Sequence, residues 1–88
     1  MNKYTYERGV LLVKQEIPLL NQPYIYVDQD CSSFTNGNTY KVIGTGQHWH
    51  REFGFCVWMT NDEYPDTKDE DYGTSIGIDE FSKCFWKV

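Results

Sequence analysis

From Phe34 to Val88 the chain alternates turn chemistry with short apolar runs, in an order that suits a small β structure. Asn36-Gly37 is the strongest hairpin-type turn signal, because both residues tolerate a positive φ. It feeds an alternating strand, Thr39 to Gly44, with Tyr40 and Val42 facing one way and Lys41 and Ile43 the other. Gly44-Thr45-Gly46-Gln47 is expected to be a flexible connection. Phe53 to Thr60 is almost wholly apolar and is the expected central strand, with Gly54 marking a bend. Asn61 to Tyr72 is a charged loop in which Pro65 excludes a continuous inner strand. Thr74 to Ile78 returns as strand. One helical turn follows over Asp79–Lys83, with Asp79 capping it and Phe81 plugging the interior. Cys84 to Val88 closes the sheet.

The first thirty residues are less defined. Val10-Leu11-Leu12-Val13 is compatible with a short helix from Arg8 to Glu16 or with a buried strand, and Gly9 and Pro18 limit either. Val10, Val13 and the nearby tyrosines favour strand. Tyr24 to Asp28 is a strand by its β-branched and aromatic content, with Ile25 and Val27 on one face and Tyr24 and Tyr26 on the other.

Eighty-eight residues make one domain with a small core. Three Trp, seven Tyr and five Phe supply it, since each large ring buries roughly 150–250 Å². The net charge of −5 argues against binding nucleic acid directly, which needs clustered Lys and Arg to neutralise phosphates. It suits a partner with a basic surface instead. No basic segment followed by an apolar run opens the chain, and its longest apolar run is far too short to span a membrane. Cys31, Cys56 and Cys84 cannot all pair within one chain. They are expected to be reduced, in a cytoplasmic protein, with Cys56 and Cys84 as inert strand residues and Cys31 exposed.

Three segments together resemble the SH3-like small β-barrels, above all uncharacterised small proteins encoded by bacteriophages. Thr35-Asn36-Gly37-Asn38-Thr39-Tyr40-Lys41-Val42 is similar to their T-x-G-x-x-Y-x-V opening. Phe55-Cys56-Val57-Trp58-Met59 leads into an Asn61-Asp62-Glu63 turn, and Ile76-Gly77-Ile78 with Phe81 and Phe85 looks like the closing strand, 3-10 turn and strand. The resemblance covers residues 31–88. It implies a mainly β, partly open barrel, with residues 1–30 as an added strand or hairpin packed on it, all within a single domain 1–88. The motifs by which SH3 domains recognise proline-rich peptides are not recognisable, so peptide binding is not carried over.

Few constellations point to chemistry. His48 and His50 have the spacing of a strand metal site, with Glu52 or a Cys as a third ligand; the plainer expectation is Trp49 packed down and both imidazoles in solvent. Asp69, Asp71, Gly73, Ser75 and Glu80 fall on an EF-hand-like frame, which fails because Gly73 offers no side-chain oxygen and Thr74 replaces the obligatory glycine. No nucleophile elbow or phosphate-cradling loop is present. No metal, cofactor or catalytic residue is assigned.

The remaining feature interleaves acids with aromatic rings. Asp62, Glu63, Tyr64, Asp66, Asp69, Glu70, Asp71 and Tyr72 share one loop, with Trp49 in the other variable loop. Rings supply binding energy and carboxylates supply orientation and encounter rate. The expected function is therefore a non-enzymatic protein-binding module, a phage-encoded modulator or inhibitor of a host protein with a basic surface, such as a nucleic-acid enzyme. The alternative is a structural or assembly protein, forming a homo-oligomer or a minor virion component.

Overall fold

In a computed structural model of the chain, residues 17–88 are described throughout, together with the backbone of two earlier strands, β1 (Lys3–Glu7) and β2 (Val10–Lys14). These pair antiparallel, with Tyr4 opposite Val13 and Tyr6 opposite Leu11. Val10–Val13 is thus strand, the alternative favoured from the sequence, while the ends of the other alternative, a helix from Arg8 to Glu16, lie outside the described residues.

The main sheet is open, five-stranded and wholly antiparallel. It uses β3 (Pro23–Tyr26), β4 (Thr39–Gln47), β5 (Phe55–Met59), β6 (Thr74–Gly77) and β7 (Phe85–Lys87), in the order β6-β5-β4-β3-β7. Strand β3, drawn from the first thirty residues, is an inner strand bonded to both β4 and β7. The centre is β4 rather than the more apolar β5. Apolarity misled because β5 is buried on two faces by different groups, not because it lies in the middle.

Strand β4 is longer than its alternation suggested. Gly44-Thr45-Gly46-Gln47 continues the ladder opposite Trp58, Val57, Cys56 and Phe55 instead of forming a flexible connection. Partner bonds from β5 hold this glycine-rich stretch extended. A register shift between Val42 and Gly44 marks a bulge at Ile43. Val42 pairs with Met59 and Gly44 with Trp58, so the bulge turns Gly44 and Gly46 to the face opposite Val42.

That inner face carries the core: Tyr24, Tyr26, Phe34, Tyr40, Val42, Val57, Met59, Phe81, Cys84 and Phe85. Most of its aromatic rings meet edge-on or tilted, and Phe81 stacks on Phe85 at 5.2 Å. Phe34 lies 5.0 Å from Tyr40 and from Phe85, and Tyr24 lies 4.9 Å from Phe81. Each such pair adds about 0.5–1.5 kcal/mol beyond its buried area. Helix α1 (Ile78–Cys84) connects the two edge strands and inserts Phe81 and Cys84 into the core, the plug expected of Phe81. Its N-cap is Gly77 rather than Asp79, and no side chain caps it. Asp79 and Glu80 in the first turn and Lys83 in the last still suit the helix dipole.

The connection from β3 to β4 uses the Asn36-Gly37 turn as expected. Gly37 has φ 88° and its N–H donates to Tyr26 O at 2.8 Å. No helix among the described residues is long and apolar enough to cross a membrane.

Candidate functional site

The acidic loop springs from β5 and is fastened at its base by Asn61. The Asn61 Nδ2 group donates to Tyr72 O at 2.9 Å and to Thr74 Oγ1 at 3.0 Å, and Oδ1 accepts the Tyr64 N–H at 2.7 Å. Asn61 is buried, so these bonds are shielded from water. They bring the two ends of the loop together, and the Tyr64 and Tyr72 rings meet with centroids 4.9 Å apart. Both rings remain exposed, at 39% and 52%. Asp69 Oδ1 accepts the Asp71 N–H, and Thr67 Oγ1 accepts the Asp69 N–H, fixing the tip locally.

The loop residues divide by task. Glu63, Asp66, Asp69 and Asp71 are exposed, as the docking reading requires. Asp62 is engaged within the fold. Its carboxylate accepts Tyr40 OH at 2.6 Å and Thr35 Oγ1 at 2.7 Å, and its N–H donates to Ser33 O. These hydrogen bonds, Tyr40's first, hold its carboxyl below the usual aspartate value, whereas burial raises Tyr40. Glu70 lies over the bare backbone of Gly44, where any Cβ would collide with its carboxyl group. Gly73 is equally tight: a Cβ there would come within 2.5 Å of Ile43 Cδ1 and 2.9 Å of Met59 O. The loop is thus fastened by hydrogen bonds at Asn61 and Asp62 and packs closely against β4 and β5 at Glu70 and Gly73.

Trp49 belongs to a second cluster, on the outer face of the sheet. Trp58 and Cys56 are buried yet lie outside the core, because the ladder turns them away from it. His48 packs at a tilt against Trp49 at 4.0 Å and lies parallel to Trp58 at 5.8 Å, with Phe53 perpendicular to it at 4.9 Å. The expected arrangement holds for His50, which is exposed, but is reversed for its neighbours: His48 is buried and Trp49 is 72% exposed. The short 3-10 turn Arg51–Phe53 carries Glu52 and an exposed Phe53 beside them.

The imidazoles do not converge on a common ion. His48 Nδ1 accepts the His50 N–H at 3.0 Å, and the two rings stack 5.7 Å apart. Among the described residues the group able to offer three ligand atoms to a metal is Asp28, Glu80 and Cys84. Neither the His48–His50 pair nor the EF-hand-like frame is part of it beyond Glu80. The Cys84 thiol, pushed up to about 12 by burial and then by Asp28, donates to Asp28 Oδ2 at 3.2 Å and lies 3.7 Å from Glu80 Oε2. A protonated thiol shared between carboxylates accounts for this grouping. Cys31 is exposed and Cys56 and Cys84 are buried, as expected, but Cys84 ends helix α1 rather than lying on the closing strand.

No family model, curated protein or solved structure matches this chain. The likeness to SH3-like barrels therefore rests on the quoted residues alone. Sequence reasoning missed Asn61 and Phe53, and considered Glu52 only as a metal ligand beside the histidines. For Asn61 the signal is a carboxamide directly after an apolar strand; for the outer cluster it is the spacing of Gly44, Gly46 and Gly77 opposite Trp58 and Cys56.

Proposed function

We propose that this protein is a non-enzymatic binding module that docks its acidic loop on a basic surface of a partner protein. The observation that carries the reading is the fastened Tyr64–Tyr72 pair. Two exposed rings are held against each other by bonds from buried Asn61, with Glu63, Asp66, Asp69 and Asp71 around them. A loop ordered in advance loses less entropy on binding, and exposed tyrosines are good anchors. The SH3-like barrel form and the phage origin suggested by the sequence pattern belong to the same proposal, and would make the partner a host protein.

The test compares capture by wild type and by a Glu63→Lys, Asp66→Lys, Asp71→Lys variant at rising salt. The variant should lose the protein that wild type retains, and wild-type capture should weaken with salt while both melt alike. Capture of the same protein by both, with the same salt dependence, refutes the docking role of the loop.

Self-association is favoured by a separate observation, the exposed Ile17, Leu19, Leu20, Trp86 and Val88. A salt-independent dimer or ring in light scattering would support the assembly reading.

A further inference from the structure

The outer face of the sheet contains a hollow made by missing side chains. The ladder sets Gly46, Cys56 and Gly77 in one row and Gly44, Trp58 and Ser75 in the next. Glu70 fills the space over Gly44, but a Cβ at Gly77 would meet nothing within 4 Å. The resulting cleft, about 390 Å³, is lined by His48, Glu52, Phe53, Cys56, Ser75 and Gly77. That size falls within the range of small-ligand sites. Phe53 is 57% exposed and stands perpendicular to His48, so it offers a ring as a wall. The Glu52 carboxylate is exposed at its rim, 3.7 Å from His50 Nδ1. No lysine or arginine lines the cleft.

We propose that this cleft takes the guanidinium of an arginine side chain presented by the partner protein. The inference rests on the protein-binding reading for the source of the cation, but concerns a different surface. A flat cation fits between an aromatic ring and a carboxylate: the guanidinium stacks on the ring face while its N–H groups donate to the carboxylate oxygens. An ammonium group offers neither the plane nor the paired donors. Glu70 on the adjacent row and the protein's net charge of −5 favour the same sign of ligand.

The test is a titration of isotopically labelled protein with the pentapeptide Gly-Gly-Arg-Gly-Gly, read from backbone amide shifts. Saturable shifts should appear at Phe53, Cys56 and Gly77. The neutral citrulline peptide should bind at least about tenfold more weakly, since only the charged group makes charge-assisted bonds. Gly77→Val should abolish the response. Gly77 has φ −61° and open space before it, so the variant should keep the wild-type spectrum elsewhere. Glu52→Gln gives a second route and should weaken binding about tenfold. Equal binding of the citrulline peptide, or saturable shifts confined to residues 61–72, overturns the proposal. Tighter binding of agmatine than of the peptide overturns the assignment to a protein side chain. The Glu63→Lys, Asp66→Lys, Asp71→Lys variant should bind the peptide at Gly77 as wild type does, so failure of the loop reading and failure of the cleft are told apart.

Discussion

Removing the Asn61 carboxamide should both destabilise the fold and release the loop. Asn61→Ala deletes three hydrogen bonds, to Tyr72 O, Thr74 Oγ1 and Tyr64 N. Thr74 Oγ1 keeps a contact with Ser33 Oγ at 3.2 Å, so its loss is partly covered. At about 1 kcal/mol for each neutral bond, the expected cost is about 2–3 kcal/mol. A chain of this size holds on the order of 4–13 kcal/mol in total, so the variant should still fold. With a urea slope of about 1 kcal/mol/M, the unfolding midpoint should fall by about 2–3 M. Hydrogen exchange adds a local readout. The Tyr64 amide, which donates to Asn61 Oδ1, should exchange faster in Asn61→Ala. Asn61→Asp keeps that acceptor while losing both donors, so it should keep Tyr64 protection relative to its own global stability. A midpoint within about 0.5 M of wild type for both variants, or equal Tyr64 exchange in Asn61→Ala and wild type, would refute the pinning argument.

Gly73→Ala should cost about 1–3 kcal/mol in urea unfolding, because the new methyl meets the rigid Met59 carbonyl as well as Ile43. Gly44→Ala, whose nearest neighbours all belong to the movable end of Glu70, should cost less; the reverse order would contradict the geometry. Asp62 has a folded pKa below its ordinary 3.8, so it binds protons less readily folded than unfolded. Its stabilisation is present above that value and fades as pH falls through the folded pKa, so Asp62→Asn should show a shallower loss of stability below about pH 4 than wild type. A matching acid limb in the two proteins would exclude the effect. Iodoacetamide at pH 8 should label the exposed Cys31 in the native protein and all three thiols in urea, read by mass spectrometry. Rapid native labelling of Cys84 would contradict its burial and its raised pKa of about 12.

Patterns with a period of two carried most of the readable fold. Tyr40 and Val42 are buried with Lys41 exposed between them, as alternation demands. The Asn36-Gly37 turn was legible because its chemistry is local. The order of strands was not, because β3 pairs with β7 far along the chain, with Tyr26 opposite Phe85 59 positions later, and no local pattern records such a pairing. Gly44 and Gly46 suggested a loop because glycine is a poor strand residue. Their extended form depends on Trp58 and Cys56 in the facing strand and on the bulge at Ile43. The same holds at the candidate site. The acids and tyrosines of residues 61–72 were visible as composition, but Asp62's engagement with Tyr40 and Thr35 was not. Those two residues come from 22 and 27 positions earlier in the chain.

The bulge at Ile43 links the acidic loop to the aromatic cleft. By turning Gly44 outward beside Trp58, it places Glu70 of the loop on the face that also carries Cys56, Ser75 and Gly77. In the proposed complex the two features would therefore address one partner surface by different physics. Exposed loop carboxylates act at long range, so Lys substitutions at Glu63, Asp66 and Asp71 should slow association several-fold, with less effect as salt rises. Filling the cleft acts only at contact, so Gly77→Val should speed dissociation and leave association within about twofold of wild type. Surface-immobilised wild type and variants, with the captured partner flowed over at two salt concentrations, separate these rates. If both variants changed only association, the cleft would have no anchoring role. If both changed only dissociation, the loop would be an ordinary contact rather than a steering charge.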